Sequence, residues 1–350
     1  MKILFRVDAN SKIGMGHLQR CLSLAHAFVL QKCTVVFLIE DDIRANERVA
    51  QFGFKAYNIE SDLTKIDELQ TILTFLQRQN FQIIVADSYE FDEDYLFALR
   101  QTGCCVIFID DLATMSFPCH FVVNSSIYAE RLDYRSSTGD TKFLLGPKYM
   151  LLREEFWNIP VRTIKPKVKK ILVTIGGCDQ NNVTPTILDI LFKIDADFKV
   201  DIIVGPFFDN VSDIESAAMQ FGNGQVQLFH SPTSVCNVML DCDLAISGGG
   251  QTLYELAATG TPSLAIKLAE NQHGNIEGLT QAEAICAIEE LNDLRCVVQM
   301  LLSDQFKREN MSITGRSLVS GYGAMLVAKS ILSFKEGDLV RGRQISSEKN

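Results

Sequence analysis

Short apolar runs rich in Val, Ile and Phe alternate with segments of helical period along nearly the whole chain. In the first half the strand-like runs are KILFRVD, TVVFLIE, KAYNI, QIIVADS, CCVIFIDDL and HFVVNSS, and FLLG follows an irregular stretch over 124–150. Helical segments open after residue 16, at about Asp67 and after Asp92. The second half repeats the alternation with KKILVTIGG, KVDIIVG, QVQLFH, DLAISGGG and PSLAIKL, each followed by a helix-like or glycine-rich segment. Strands separated by helices with short polar connections form mostly parallel sheets covered on both faces. NIPVRTIKPKVK, residues 158–169, carries two prolines and reads as a linker. The expectation is an α/β chain of two Rossmann-like domains, residues 1–157 and 170–335, facing across a cleft suited to a ligand. Residues 336–350 are polar and read as a disordered tail.

A chain of 350 residues is long enough for two cores. The net charge of −10, with no basic stripe, argues against nucleic acid as the main partner. No run of about 18 apolar residues suggests a membrane span, and MKILFRVD reads as a first strand rather than a signal peptide. The ten cysteines follow no C-x-x-C spacing and suit free thiols in a reducing cytoplasm.

Three glycine-rich turns fall where apolar runs give way to helices. In IGMGHLQR, Gly14 and Gly16 allow a tight turn, and His17 stands at a helix start. A positive environment there favours the neutral imidazole that a general base requires, although His17 can equally help cap a buried helix. In SGGGQTLYEL, Ser247, Gly248, Gly249 and Gly250 run into a helix at Gln251 and Thr252, so backbone N–H groups can cradle a diphosphate. No G-K-[ST] follows, and the G-x-G-x-x-G spacing is absent, so this is neither a P-loop nor a dinucleotide fingerprint. Glu255, about one turn into that helix, suits a ribose diol or simply favours the helix start. In TIGGCDQNN, Gly176 and Gly177 let the backbone approach the same ligand or only make the turn, and Asp179 reads as a helix cap.

Polar residues end other strands. Asp87 and Tyr89 can hold a sugar hydroxyl, orient the base, or form a solvated turn; Asp92 reads as a cap. Asp110 and Asp111 read as turn or cap residues. In AENQHGN, Asn271 and Gln272 are neutral amides suited to hydroxyl and acetamido groups, whereas His273 reads as surface.

Taken together, FRVD…IGMGHLQRCLSLA, VTIGGCDQNN and SGGGQTLYELAATGTPSLAI…ENQ resemble the UDP-2,4-diacetamido-2,4,6-trideoxy-β-L-altropyranose hydrolases of pseudaminic acid biosynthesis. The likeness extends to spore-coat polysaccharide glycosyltransferases and, more distantly, to the UDP-GlcNAc transferase of peptidoglycan synthesis. It implies a glycosyltransferase-B-like fold and a UDP-sugar substrate, with no metal or other cofactor. The sugar side would come first and UDP would bind mainly the second domain. It implies His17 as the water-activating base, Gly14 and Gly16 as loop formers, and a tyrosine matching Tyr89. Gly248–Gln251 and Thr252 would hold the diphosphate, Glu255 the ribose, and Asn271 and Gln272 the sugar. A transferase using the same donor, or a nucleotide-sugar-binding protein without turnover, are the alternatives.

Overall fold

In a computed structural model, the structure describes residues 1–9, 15–61, 63–220, 224–232 and 234–334. Gly14 and the expected tail therefore lie outside the described residues. The described residues divide into two compact units, those within 1–154 with 322–334, and those within 155–321.

The first unit is built on a parallel sheet. Its strands are β1 (Lys2–Val7), β2 (Thr34–Glu40), β3 (Lys55–Ile59), β4 (Ile83–Asp87), β5 (Cys105–Ile109), β7 (Phe121–Asn124) and β9 (Lys142–Leu145), in the order β3-β2-β1-β4-β5-β7-β9. Two short strands, β6 (Ser116–Phe117) and β8 (Arg135–Ser136), pair separately. Helices α1 (Gly16–Leu30), α2 (Ile43–Gln51), α3 (Lys65–Gln79) and α4 (Glu93–Gln101) make the crossovers. Alternation along β1 sorts the two faces. Leu4, in register with Ile84, joins the buried cluster under α3 and α4 that includes Ile72, Leu76, Leu96 and Leu99. Phe5, in register with Val85, meets Phe28 of α1 edge to face at 6.2 Å. Arg6 is buried on the α3/α4 side, bonded to Asp8 and Glu68 at 2.8 Å each, and Glu68 also accepts from the Tyr95 hydroxyl.

The second unit carries β10 (Lys170–Thr174), β11 (Lys199–Val204), β12 (Val226–His230), β13 (Leu244–Gly248), β14 (Ser263–Ile266) and β15 (Cys286–Ile288), all parallel, in the order β12-β11-β10-β13-β14-β15. Its helices are α5 (Val183–Phe192), α6 (Val211–Met219), α7 (Val235–Asp241), α8 (Thr252–Thr259), α9 (His273–Gln281), α10 (Leu294–Ser303) and α11 (Gln305–Leu318). Both sheets have the doubly wound order, in which ligands bind at the carboxyl edge where the strand order reverses. Those points lie between β1 and β4 and between β10 and β13.

Several local expectations meet a different structure. The charged stretch before β3 is helix α2, whose N-cap Asp42 accepts from the Ala45 N–H at 2.9 Å. The residues read as the edge AENQHGN continue into α9, and β15 extends the sheet beyond the last strand expected. The segment 158–169 is not a loose linker. Arg162 donates to the carbonyls of Cys242, Met239 and Thr259, and Arg308 to those of Lys165 and Pro166, which pins this segment to the second unit. The expected boundary at residue 335 also moves. After α11 the helix breaks over 319–322, where Gly321 has φ +82° and a Cβ would lie 2.0 Å from the Phe156 carbonyl oxygen. A last helix, α12 (residues 323–334), returns to the first unit, where Phe334 packs edge-on against Phe121 at 5.3 Å. The stretch Gln305–Phe334 is long and apolar enough to cross a membrane by length and composition, but it is these two helices with the break between them.

Candidate active site

In the first unit the register Val7↔Asp87 sets Asp87 as the last residue of β4, on the face shared with Phe5 and α1. His17, Arg20 and Cys21 lie at i, i+3 and i+4 in the opening turns of α1, a spacing that puts them on one face. All three reach Asp87. His17 Nδ1 lies 2.5 Å from Oδ1. Arg20 donates through Nη2 to Oδ1 at 2.6 Å and through Nε to Oδ2 at 2.7 Å, and the Cys21 thiol donates to Oδ2 at 3.3 Å. The Asp87 side chain is fully buried. Burial works to raise its carboxyl, but Arg20 and then His17 outweigh that and hold it well below the usual carboxylate range. Burial pushes the Cys21 thiol well up, and the Asp87 charge adds to the shift, so Cys21 is a neutral donor here and not a nucleophile.

Arg20 also grips a second carboxylate. Its Nη1 lies 2.8 Å from each oxygen of Asp111, and the Tyr89 hydroxyl donates to the same group at 3.0 Å. The Tyr89 ring stands edge-on to the imidazole, 4.7 Å between centroids, and is largely exposed. Partial burial of the hydroxyl end and then the Asp111 charge push its phenol up, which keeps it a donor. Asp110 behaves as expected of a turn residue, accepting from the Leu112 and Ala113 N–H groups, whereas Asp111 is not one: it is the outer anchor of Arg20.

The network assigns the His17 tautomer. Arg20 Nη2 lies 3.2 Å from Nδ1. Arginine cannot accept, and it is already satisfied by two carboxylates, so the Nδ1 proton goes to Asp87. In the neutral ring Nε2 is then the acceptor end. Among the described residues four donor contacts reach the Asp87 oxygens, which ties this carboxylate to the imidazole and its helix. Gly16 opens α1, with nothing among the described residues within 4 Å of where a Cβ would stand.

In the second unit the corresponding edge carries two glycine turns. Gly176 has φ +110°, a backbone region that favours glycine. A Cβ on Gly205 would lie 2.5 Å from the carbonyl oxygens of Gly176 and Gly177, and Gly177 O accepts from Phe207 N–H at 3.0 Å. Asp179 caps α5, as expected, accepting from Val183 and Thr184 N–H at 2.8 and 3.0 Å. At the end of β13, the buried Ser247 hydroxyl turns onto the Gly248 carbonyl at 3.0 Å. Helix α8 starts without a side-chain cap, and Gln251, Thr252 and Glu255 are half-buried in and before its first turn. The Leu253 and Tyr254 N–H groups donate to the carbonyls of Gly250 and Gln251 at 3.2 and 3.0 Å, so what this start offers an anion is chiefly the positive end of the helix dipole.

Two expected ligand contacts are engaged otherwise. The Gly249 N–H donates to Gln272 Oε1 at 3.0 Å, and the same oxygen accepts from Leu268 N–H at 3.0 Å. Gly249 therefore does not offer its amide to a diphosphate, and Gln272 spends its oxygen on backbone rather than on a sugar. Asn271 is exposed. His273 is exposed too, 3.9 Å from Glu277 and facing solvent as its loop context suggests.

Arg20 and Cys21 lie within IGMGHLQRCLSLA, where the sequence assigns them no role, and Asp111 reads from sequence only as a turn or cap residue. The spacing of His17, Arg20 and Cys21 was the available signal, since three polar or soft side chains at i, i+3 and i+4 beside a strand end need a common partner.

The fold is glycosyltransferase-B-like. MurG of Acinetobacter baumannii superimposes over 95% of this chain and 100% of its own with a TM-score of 0.71 at 14% identity. The calicheamicin glycosyltransferase CalG4 does so over 95% and 98% with a TM-score of 0.63 at 14% identity. Within that fold the chain is similar in sequence to proteins named as UDP-2,4-diacetamido-2,4,6-trideoxy-β-L-altropyranose hydrolases and to SpsG. It is 22% identical to the Campylobacter jejuni hydrolase over 284 residues, covering 80% of this chain and 97% of that one. It is 22% identical to the spore coat polysaccharide biosynthesis protein SpsG of Bacillus subtilis over 358 residues, covering 95% and 98%. An uncharacterized protein of Methanocaldococcus jannaschii, MJ1062, is 26% identical over 283 residues, a match to 78% of this chain but only 57% of that protein. No protein-family model matches the chain.

Proposed function

We propose that the protein hydrolyses a UDP-linked sugar, a diacetamido-trideoxyhexose of nonulosonic (pseudaminic) acid biosynthesis, and releases UDP. The observation that carries this reading is the His17 imidazole, its Nδ1 proton committed to a buried, ionised Asp87 and its Nε2 left to accept. Nε2 takes a proton from water as the water oxygen bonds to the anomeric carbon. The bond from that carbon to the diphosphate oxygen breaks, and its electron pair leaves with UDP. Attack opposite the leaving group inverts the anomeric centre. UDP is a good leaving group, so no strong general acid is called for. The start of α8 would stabilise the charge growing on the diphosphate, a preorganised electrostatic effect, with Glu255 on the ribose and Asn271 toward the sugar. Relatives named for this hydrolase support the substrate class. The ten free thiols suit the reducing cytoplasm proposed as its compartment.

The glycosyltransferase neighbours favour a second reading, in which an acceptor hydroxyl replaces water. One incubation separates the two. The purified protein is mixed with UDP-linked diacetamido-trideoxyhexoses without acceptor, and UDP and the product anomer are followed by NMR. UDP released with an inverted free sugar is the expected result. Release only after an acceptor is added would establish the transferase, and binding without release would remove both enzymatic readings.

A further inference from the structure

The glycine turn after β13 is held from outside by side chains of one neighbouring segment. Gly249 is buried, and both of its backbone polar groups are engaged. Its N–H donates to Gln272 Oε1 at 3.0 Å, and its carbonyl accepts from Asn275 Nδ2 at 3.4 Å. The other end of the Asn275 amide accepts from the buried Tyr254 hydroxyl of α8 at 2.6 Å. Ile276 closes the back of the turn, since a Cβ on Gly249 would lie 2.5 Å from its Cδ1. Gln272 and Asn275 stand three residues apart at the start of α9, so one helical turn presents both amides to the same peptide.

The orientation of Gln272 follows from its partners. Gly249 N–H and Leu268 N–H are both donors, so the atom between them must be oxygen. That one oxygen joins the turn after β13 to the turn after β14, the two strand ends flanking the start of α8. A buried N–H that loses its acceptor pays the full desolvation cost, so the turn has reason to rearrange when the oxygen is removed.

We propose that Gln272 is a positioning residue for the diphosphate site: it sets the conformation of the Gly249 turn, and through it the direction of the helix start that follows, rather than touching the sugar. This rests on the reading of that helix start as the diphosphate cradle. Asn275 and Tyr254 complete the same clasp from the carbonyl side.

The test uses the full chain and UDP alone as the ligand. Gln272→Met keeps length and removes the acceptor, and Gln272→Glu keeps the acceptor. Amide exchange is followed by mass spectrometry in peptides covering 247–252 and 267–270, and UDP binding by calorimetry. Gln272→Met is expected to lose protection in both peptides and to bind UDP about tenfold more weakly. Gln272→Glu is expected to restore the protection. If Gln272→Met binds UDP as the wild type does while KM for the UDP-sugar rises, Gln272 is a sugar contact and the proposal fails. Unchanged protection in Gln272→Met overturns it as well. A wild-type protein that does not bind UDP defeats the diphosphate reading itself, and this inference with it, a result distinct from either of the others.

Discussion

Asp87→Asn is the substitution that most directly probes the His17 arrangement. Among the described residues the carboxylate receives four contacts: His17 and Arg20 Nη2 on Oδ1, Arg20 Nε and Cys21 on Oδ2. An amide has one oxygen, so an NH₂ group must replace one of the two. At the Oδ2 position it meets Arg20 Nε–H and a thiol, and only the thiol accepts, weakly. At the Oδ1 position it also meets an Arg20 donor, but there it can donate to His17 Nδ1 once the ring has moved its proton to Nε2. The second arrangement is favoured, and it puts the proton on the nitrogen that should accept. A hydrogen bond to a charged group is worth about 1.5–3 kcal/mol, so the carboxylate biases the tautomers by about 10- to 150-fold, and the amide removes or reverses that bias. A positioned base contributes about 10²–10⁴-fold, and the variant is expected to lose turnover in that range. The assay is UDP release from the UDP-sugar at saturating substrate, with circular dichroism to establish folding and calorimetry to measure UDP affinity, which should not change. A folded Asp87→Asn protein that turns over at the wild-type rate would refute the orienting role, and with it the tautomer assignment.

His17→Ala should lose about 10²–10⁴-fold in turnover with UDP affinity retained; undiminished turnover would remove His17 from the chemistry. The folded carboxyl of Asp87 lies below its ordinary range, so its stabilisation is complete above that range and drains away as pH falls through the folded value. Urea midpoints measured from pH 6 to pH 3 should therefore fall more steeply for the wild type than for Asp87→Asn, and parallel curves would contradict the assignment. Gly249→Ala sets a Cβ 2.5 Å from Ile276 Cδ1 and 2.8 Å from Gln272 Cβ, which should cost about 1–3 kcal/mol in denaturant unfolding. Gly250→Ala meets nothing within 4 Å and should stay within about 0.5 kcal/mol; equal losses at the two positions would mean the turn is not packed as described.

Much of the fold was legible because its signals are local. The runs TVVFLIE and KAYNI end where β2 and β3 end, and the caps Asp92 and Asp179 sit where a short acceptor before a periodic segment should be. The misses have local causes too. Helix α2 is mostly polar, so few apolar residues mark its period, and β15 is three residues long at a sheet edge. The segment 158–169 looks like a spacer in composition, yet Arg162 and Arg308, which tie it down, use backbone carbonyls that no residue pattern encodes.

Residue order alone was enough to specify two parallel α/β sheets, their glycine turns and an imidazole at the start of α1, because periodicity, turn chemistry and capping act over a few residues. It could not specify the partners. His17 meets Asp87 across 70 positions and Arg20 meets Asp111 across 91, because β4 and β5 end beside α1 in the folded sheet. Gln272, chosen by its amide chemistry as a sugar ligand, instead closes on Gly249 because α9 packs over that turn. Which buried donor finds which acceptor depends on strand order and register, and those are settled by the packing of the whole core.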